Sequence, residues 1–295
     1  MKVTEPKAQQ RHKIGLVLEG GGMRGLYTAG VLDVFMERSL RADTICGTSA
    51  GAIFGINLPS GQPGRVLRYN LKLAGDPRYI SLRSLLSTGN ICNVDFCYHT
   101  LPDKYDPYDY DAFACSGVDF FACATNLITG EPAYLKITDA HKQMDLLRAS
   151  ASLPFLSKEV YIDGFPYLDG GISDNIPIDK CFTEGCDKII VVLTHPEGYV
   201  KKERLHFISC LFFPRNKTLQ EVFRHRNERY NERLKQIGQM EAEGKIFVFR
   251  PSRNIKVGRL EKNPARLQAA YDTGAQDARN NWDKLRAYLG GNQPK

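Results

Sequence analysis

The stretch KIGLVLEGGGMRG, residues 13–25, decides the fold class because it predicts a buried strand that runs straight into a glycine loop. Residues 13–18 form a short apolar run, which is typical of a strand inside a parallel sheet. The segment 23–38 predicts a helix, because apolar residues recur there at helical spacing: Ala29, Leu32, Phe35 and Met36. The order strand, glycine loop, helix indicates an α/β protein.

The rest of the chain continues this alternation of strands and helices. Further strands are predicted near 43–47, 118–124, 188–194 and 245–250, and hairpin strands at 133–137 and 161–168. Helices are predicted from residue 50, at 139–150, after Pro177, at 216–243 and at 264–289, whereas 65–117 shows no clear pattern. This alternation predicts a three-layer α/β/α domain with a mostly parallel central sheet over residues 12–200. Residues 201–295 predict a helical, basic C-terminal extension packed on that domain.

Composition excludes several classes of protein. The 295 residues carry 40 Lys and Arg against 33 Asp and Glu, and 42% are hydrophobic, which is the balance of a globular chain. The net charge of +7 is too mild to indicate nucleic acid binding. No long apolar run predicts a membrane span, and the polar first dozen residues predict no secretory signal, so we expect a cytoplasmic protein. Neither the cysteine spacing nor the acidic residues predict a metal site or a cofactor, and oligomeric state is left open.

Three glycine-bearing motifs follow predicted strands. The loop Gly20–Gly25 can bring backbone N–H groups close to an anion. The stretch Gly47-Thr48-Ser49-Ala50-Gly51 has the G-x-S-x-G pattern of a nucleophile elbow, in which a sharp strand-to-helix turn exposes the serine hydroxyl. Asp169-Gly170-Gly171 ends the second predicted hairpin and can present a carboxylate to a cleft. Taken alone, the motif favours the alternative of a turn aspartate bonded to its own backbone.

Taken in order, these motifs resemble the patatin-like phospholipase family, in its bacterial members. The resemblance spans residues 13–195 and also includes the Ser/Ala-rich stretch 148–155, Asn175 and Pro177. It implies a serine lipid acyl hydrolase, phospholipase A-like, that cleaves fatty-acyl esters through an acyl-Ser49 intermediate, with Asp169 as general base. It further implies an oxyanion hole made by Gly20, Gly21, Gly22 and Arg24, and motif glycines at Gly25, Gly47, Gly51, Gly170 and Gly171.

Two other functions remain open on the residues alone. His195 follows the strand 188–194, and the order Ser49, Asp169, His195 is that of an α/β-hydrolase triad. The glycine loop also fits the G-x-G-x-x-G spacing of a nucleotide site, with Asp43 near the place of a ribose-binding acid.

The segment 201–217 combines apolar and basic residues. Its basic residues are Lys201, Lys202, Arg204, Arg215 and Lys217, on either side of an apolar run at 207–213. That composition predicts peripheral contact with the inner face of a membrane, in keeping with a lipid or ester substrate. The alternative is a core element that caps the active-site cleft.

Overall fold

A computed structural model describes residues 12–202 and 206–290 of the chain. The predictions made for the first eleven residues, for Arg204 and for residues 291–295 fall outside these ranges. Among the residues described, no helix has both the length and the apolar character needed to cross a membrane.

Within the described ranges, eight strands form one central sheet. They are β1 (Ile14–Leu18), β2 (Thr44–Thr48), β3 (Asp119–Asn126), β4 (Pro132–Ile137), β5 (Val160–Ile162), β6 (Phe165–Asp169), β7 (Lys188–Val192) and β8 (Ile246–Phe249). The order is β5-β6-β3-β2-β1-β7-β8, with β4 paired to β3 outside this path. The pairings that link β3, β2, β1, β7 and β8 are all parallel, whereas β4, β5 and β6 pair antiparallel.

Helices cover both faces of this sheet. They are α1 (Leu26–Glu37), α2 (Ala50–Gly55), α3 (Arg65–Lys72), α4 (Leu82–Thr88), α5 (Tyr110–Cys115), α6 (Met144–Ala151), α7 (Ile178–Thr183), α8 (His206–Phe212), α9 (Lys217–Ala242), α10 (Pro264–Asn280) and α11 (Trp282–Tyr288). Side chains of β1 alternate between the faces: Leu16 and Leu18 pack with α1, α10 and α11, whereas Val17 packs with α7 and α9. The predicted three-layer α/β/α architecture is confirmed.

Several local predictions differ from the structure. The unassigned stretch 65–117 contains α3, α4, α5 and a π-helical segment, Phe96–Tyr105. The helix predicted at 139–150 begins only at Met144, and the one predicted at 264–289 is two helices separated at Asn281. The side chain of Asn281 donates to the Asp277 carbonyl at 2.9 Å, and its backbone leaves the helical conformation. A period of 3.6 residues shows which face is buried, but it does not show such a break.

The C-terminal third is built into the same core. β8 extends the parallel sheet beyond β7, and α9 and α10 cover its two faces. α10 approaches α1 closely because each helix has a glycine at the crossing: a Cβ at Gly30 would overlap the Tyr271 carbonyl, and one at Gly274 would overlap the Tyr27 carbonyl. The division of the chain near residue 200 therefore does not separate two cores.

Candidate active site

Two strands that end side by side bring the predicted nucleophile and base together. β2 runs parallel to β3, and its last residue, Thr48, pairs with Cys123. β6 approaches antiparallel to β3, and its last residue, Asp169, pairs with the next residue of β3, Ala124. The carboxyl ends of β2 and β6 thus meet along β3, which makes Ser49 and Asp169 neighbours although 120 residues separate them in sequence.

Ser49 occupies a sharp turn between β2 and α2. Its φ is 54° and its ψ is −125°, a backbone conformation that costs a non-glycine residue about 1–3 kcal/mol. The turn is tight on both sides, since a Cβ at Gly47 would lie 2.7 Å from the backbone of α2 and one at Gly51 would overlap the Leu18 carbonyl. Small residues flank the serine because larger ones would open this turn, and the predicted elbow geometry follows from that.

The Ser49 hydroxyl and the Asp169 carboxylate form a direct hydrogen bond. Ser49 Oγ donates to Asp169 Oδ2 at 2.6 Å, and the Gly171 N–H donates to Oδ1 at 2.7 Å. Burial raises the pKa of Asp169 above that of an ordinary aspartate. The two hydrogen bonds and the charges of Arg226 and Arg259 lower that pKa, but burial prevails. A carboxyl group of raised pKa is a stronger base, which suits removal of a proton from Ser49.

The glycine loop after β1 lies against this pair. The Gly20 N–H donates to the Asn175 carbonyl at 3.2 Å, and the Gly20 carbonyl accepts from Asn175 Nδ2 at 3.0 Å. Because its N–H is engaged there, Gly20 does not fit the oxyanion-donor role predicted for it. The hydrogen bonds among the described residues leave the N–H groups of Gly21 and Gly22 unused, and these two remain candidates for that role.

Ser49 lies between two cavities of different character. An apolar cavity of about 140 Å³ is lined by residues that include Ile53, Phe54, Met144, Leu147 and Leu153. A polar cavity of about 40 Å³ is lined by Asp169, the glycine loop and four cationic side chains, those of Arg24, Lys201, Arg226 and Arg259. Leu153 and Arg259 line both cavities. An ester carbonyl at Ser49 would therefore have apolar surroundings on one side and cationic ones on the other.

The other predicted glycines are required by close packing. A Cβ at Gly25 would lie 2.9 Å from the Phe54 ring, and one at Gly170 would overlap the Cys123 carbonyl. A Cβ at Gly171 would lie 2.9 Å from Asp169 Oδ1. These positions keep the backbone close to the reacting groups, which is the use of glycine in such a site.

The residues of the two alternative functions lie elsewhere or are otherwise engaged. His195 lines the polar cavity, but its ring stacks on that of Tyr199, with centroids 3.6 Å apart. The Asp43 carboxylate accepts the N–H of Ile14, the first residue of β1, at 2.7 Å. The glycine loop follows the other end of β1, so Asp43 lies at the opposite edge of the sheet and does not fit the role of a ribose-binding acid.

Several side chains at the site were given no role by the sequence analysis. Ser150 Oγ accepts the Ser49 N–H at 2.9 Å, and Arg226 Nε donates to the Gly171 carbonyl at 2.6 Å. Glu19 is buried directly before the glycine loop, and Tyr230 of α9 donates to its carboxylate. A role for Glu19 could have been predicted from its position. An acid between an apolar strand and a glycine loop lies where the chain is buried, and a buried acid needs hydrogen-bond partners. The helix predicted at 216–243 gave no signal that Tyr230 contacts Glu19.

Comparison with known proteins places most of this site within one family match. A family model described as patatin-like phospholipase matches residues 16–182, and one described as a domain of unknown function (DUF6363) matches residues 216–290. The uncharacterized protein YjjU of Escherichia coli (strain K12) is 33% identical over 192 residues, which cover 63% of this chain and 53% of YjjU. The lysophospholipase NTE1 of Candida glabrata is 29% identical over 184 residues, which cover 61% of this chain and 10% of NTE1.

The match thus spans about half of YjjU and a tenth of NTE1. Among solved structures, VipD from Legionella pneumophila is similar with a TM-score of 0.45 and 12% identity, over 93% of this chain and 67% of that one. A structural similarity at that level supports no conclusion about function.

Proposed function

The chain belongs to the patatin-like phospholipase family, and from that membership we propose that it is a serine lipid acyl hydrolase that uses a Ser49/Asp169 dyad. The observation that carries the proposal is the 2.6 Å hydrogen bond from Ser49 Oγ to Asp169 Oδ2, where the apolar cavity and the polar cavity meet. A serine hydroxyl is a weak nucleophile until a base takes its proton, and Asp169 is placed to take it.

The proposed reaction has two half-reactions. Asp169 takes the proton as Ser49 Oγ attacks the ester carbonyl, and the N–H groups of Gly21 and Gly22 stabilise the negative oxygen. The carbon–oxygen bond to the leaving alcohol then breaks, and Asp169 returns the proton to that alcohol. A water molecule, deprotonated in turn by Asp169, attacks the acyl-Ser49 ester. The bond from the acyl carbon to Ser49 Oγ breaks, Asp169 returns the proton to Ser49 Oγ, and the fatty acid is released.

The cavities support a fatty-acyl ester as the substrate. The apolar cavity is lined by aliphatic and aromatic side chains, which suits an alkyl chain. The charged residue Arg65 also lines it, but its guanidinium donates to the Asp106 carbonyl at 2.6 Å and to Asn57 Oδ1 at 2.8 Å. The polar cavity, with its four cationic side chains, suits an anionic group, so a phospholipid is our preferred substrate.

The direct test is the intact mass of the protein after exposure to a fluorophosphonate, followed by peptide mapping. We expect one adduct, on Ser49, and none on Ser49→Ala. A folded wild-type protein without an adduct, with a thermal shift on addition of a nucleotide, would instead support the nucleotide-binding alternative.

We further propose that α8 contacts an anionic membrane surface. Phe207 and Leu211 are 73% and 76% exposed, and the Phe212 ring packs on Phe155 with centroids 5.0 Å apart. Phe155 follows the Leu153-Pro154 pair that lines the polar cavity, so the exposed apolar helix packs beside a segment that lines the site. Lys202, Arg215 and Lys217 are exposed on its flanks. Lys201, predicted as part of this basic surface, is buried over the Tyr230 ring instead.

This contact is tested with phosphatidylcholine vesicles prepared with and without phosphatidylglycerol. The double variant Phe207→Ser, Leu211→Ser should lose co-sedimentation with the anionic vesicles but retain labelling by the fluorophosphonate. Phe182→Ser is the matched control, because Phe182 is an exposed aromatic residue near the opposite edge of the sheet. Equal sedimentation of wild type and double variant would contradict the proposal.

A further inference from the structure

Glu19 holds a buried carboxylate directly before the glycine loop. Its side chain is 1% exposed, and its two oxygens accept four hydrogen bonds. Oε2 accepts from the N–H of Thr194 at 2.5 Å and from its hydroxyl at 3.0 Å. Oε1 accepts from Asn175 Nδ2 at 3.1 Å and from the hydroxyl of Tyr230. A buried charge needs such donors, so the position of Glu19 depends on them.

Tyr230 is the donor to Glu19 that comes from the region matched by the domain of unknown function. It lies on α9. Burial, followed by the nearby charge of Glu19, raises the pKa of Tyr230, so its hydroxyl stays protonated and donates. Tyr199 packs edge-on against the ring, and Lys201 Nζ lies 4.1 Å from its centroid. The phenol is therefore held firmly against Glu19.

The other end of the glycine loop also rests on the C-terminal region. The Met23 N–H donates to the Arg259 carbonyl at 3.0 Å. Gly22 has a positive φ of 58°, and a Cβ there would lie 2.5 Å from the same carbonyl oxygen. Both ends of the loop that carries Gly21 and Gly22 are thus fixed by residues 230 and 259.

We propose that Tyr230 is a positioning residue for acyl transfer, which acts through Glu19 to hold the N–H groups of Gly21 and Gly22 at the developing oxyanion. The inference rests on the proposed function. It gives the residues 216–290 a role in catalysis that the family match at 16–182 does not contain. Oxyanion stabilisation falls steeply when donors move away from about 2.7–3.1 Å, so a small shift of the loop slows the reaction.

The experiment compares two ligands with the same long alkyl chain, a trifluoromethyl ketone and the corresponding alcohol. Ser49 Oγ adds to the ketone carbon and its proton passes to Asp169, which leaves a negative oxygen in the oxyanion hole. The alcohol forms no bond and reports only binding in the apolar cavity. Tyr230→Phe should lower the affinity for the ketone and the kcat about tenfold each. It should leave KM and the affinity for the alcohol within about twofold of wild type.

Tyr271→Phe is the matched control. Tyr271 lies in the same C-terminal region and its hydroxyl donates to a carboxylate at 2.7 Å, but that acceptor is Asp33 Oδ2 of α1 rather than Glu19. Loss of the Tyr271 hydroxyl should leave the affinity for the ketone unchanged. In the background Glu19→Gln, Tyr230→Phe should cost clearly less than tenfold, because an effect that passes through Glu19 is not additive with its loss.

The possible results separate the two proposals. If the wild-type protein forms no ketone adduct on Ser49, the proposed function fails, and this inference fails with it. If the wild-type protein forms the adduct and Tyr230→Phe binds the ketone as tightly, only the inference is overturned. Should Tyr230→Phe not fold, Thr194→Val removes another donor to Glu19 without changing side-chain shape, and must weaken the ketone more than the alcohol.

Discussion

The two glycine loops at the site differ in what holds them in place. The elbow around Ser49 is shaped mainly by its own glycines, which let β2 turn directly into α2 against the end of β1. The loop Gly20–Gly22 is held by residues 175, 194, 230 and 259. A short motif can therefore set the conformation of a nucleophile, whereas the donors for the oxyanion depend on residues that come together only in the folded chain.

The largest expected effect on activity comes from removal of the Ser49 hydroxyl or of the Asp169 carboxylate. Ser49→Ala and Asp169→Asn should each lower kcat by about 10⁴-fold or more, because either change removes the activated nucleophile. Steady-state hydrolysis of a short-chain ester measures this. Ser173→Ala is the control, since its hydroxyl contacts Thr125 rather than Ser49, and it should stay within a few-fold of wild type. Substantial turnover by Ser49→Ala would refute the proposed nucleophile.

The next effect tests the packing of the elbow. Gly51→Ala places a methyl group on the Leu18 carbonyl, so we expect a loss of about 1–3 kcal/mol in the free energy of unfolding. Gly238→Ala, on the exposed side of α9 with nothing within 4 Å of its Cβ, should instead be neutral or slightly stabilising. Urea denaturation compares the two, and equal stability would mean that the turn is looser than its geometry indicates.

A smaller effect concerns the influence of Arg226, in the C-terminal region, on the pKa of Asp169. Activity requires ionised Asp169, so it is present above the pKa of that group and is lost as the pH falls through it. Arg226→Met removes a charge that lowers this pKa, so the acidic limb of kcat/KM should move to higher pH. Arg224→Met, which removes an exposed partner of Glu221 on the same helix, should leave the limb in place. A shift to lower pH would contradict this assignment.

The smallest effect concerns a residue that belongs to neither loop. His195→Ala should retain activity within about threefold, because Ser49 bonds to Asp169 directly and the His195 ring stacks on Tyr199. The same ester assay measures this. A collapse of activity would establish the triad and would give Asp169 an orienting role in place of the basic one.

The sequence was enough for the parts of the molecule that local patterns encode. Short apolar runs predicted the buried strands of the parallel core, since those strands are covered on both faces. The motifs at Ser49 and Asp169 predicted two groups that the structure places 2.6 Å apart. The stretch 65–117 was not predictable, because α3, α4 and α5 are only six to eight residues long, which is too short for a helical period to stand out. Its π-helical segment lines the apolar cavity, a contact that no local pattern encodes.

The residues by themselves determined that Ser49 follows one strand and Asp169 another, with glycines where the backbone must approach closely. Only the tertiary structure decided that β2 and β6 end at adjacent positions of β3, and that Gly20 is engaged by Asn175. It alone brought Tyr230 to Glu19. Glycine motifs act through steric limits on a few neighbouring residues, so they can be read locally. Hydrogen bonds between residues 19 and 230 depend on the path of the whole chain, and no short pattern encodes that path.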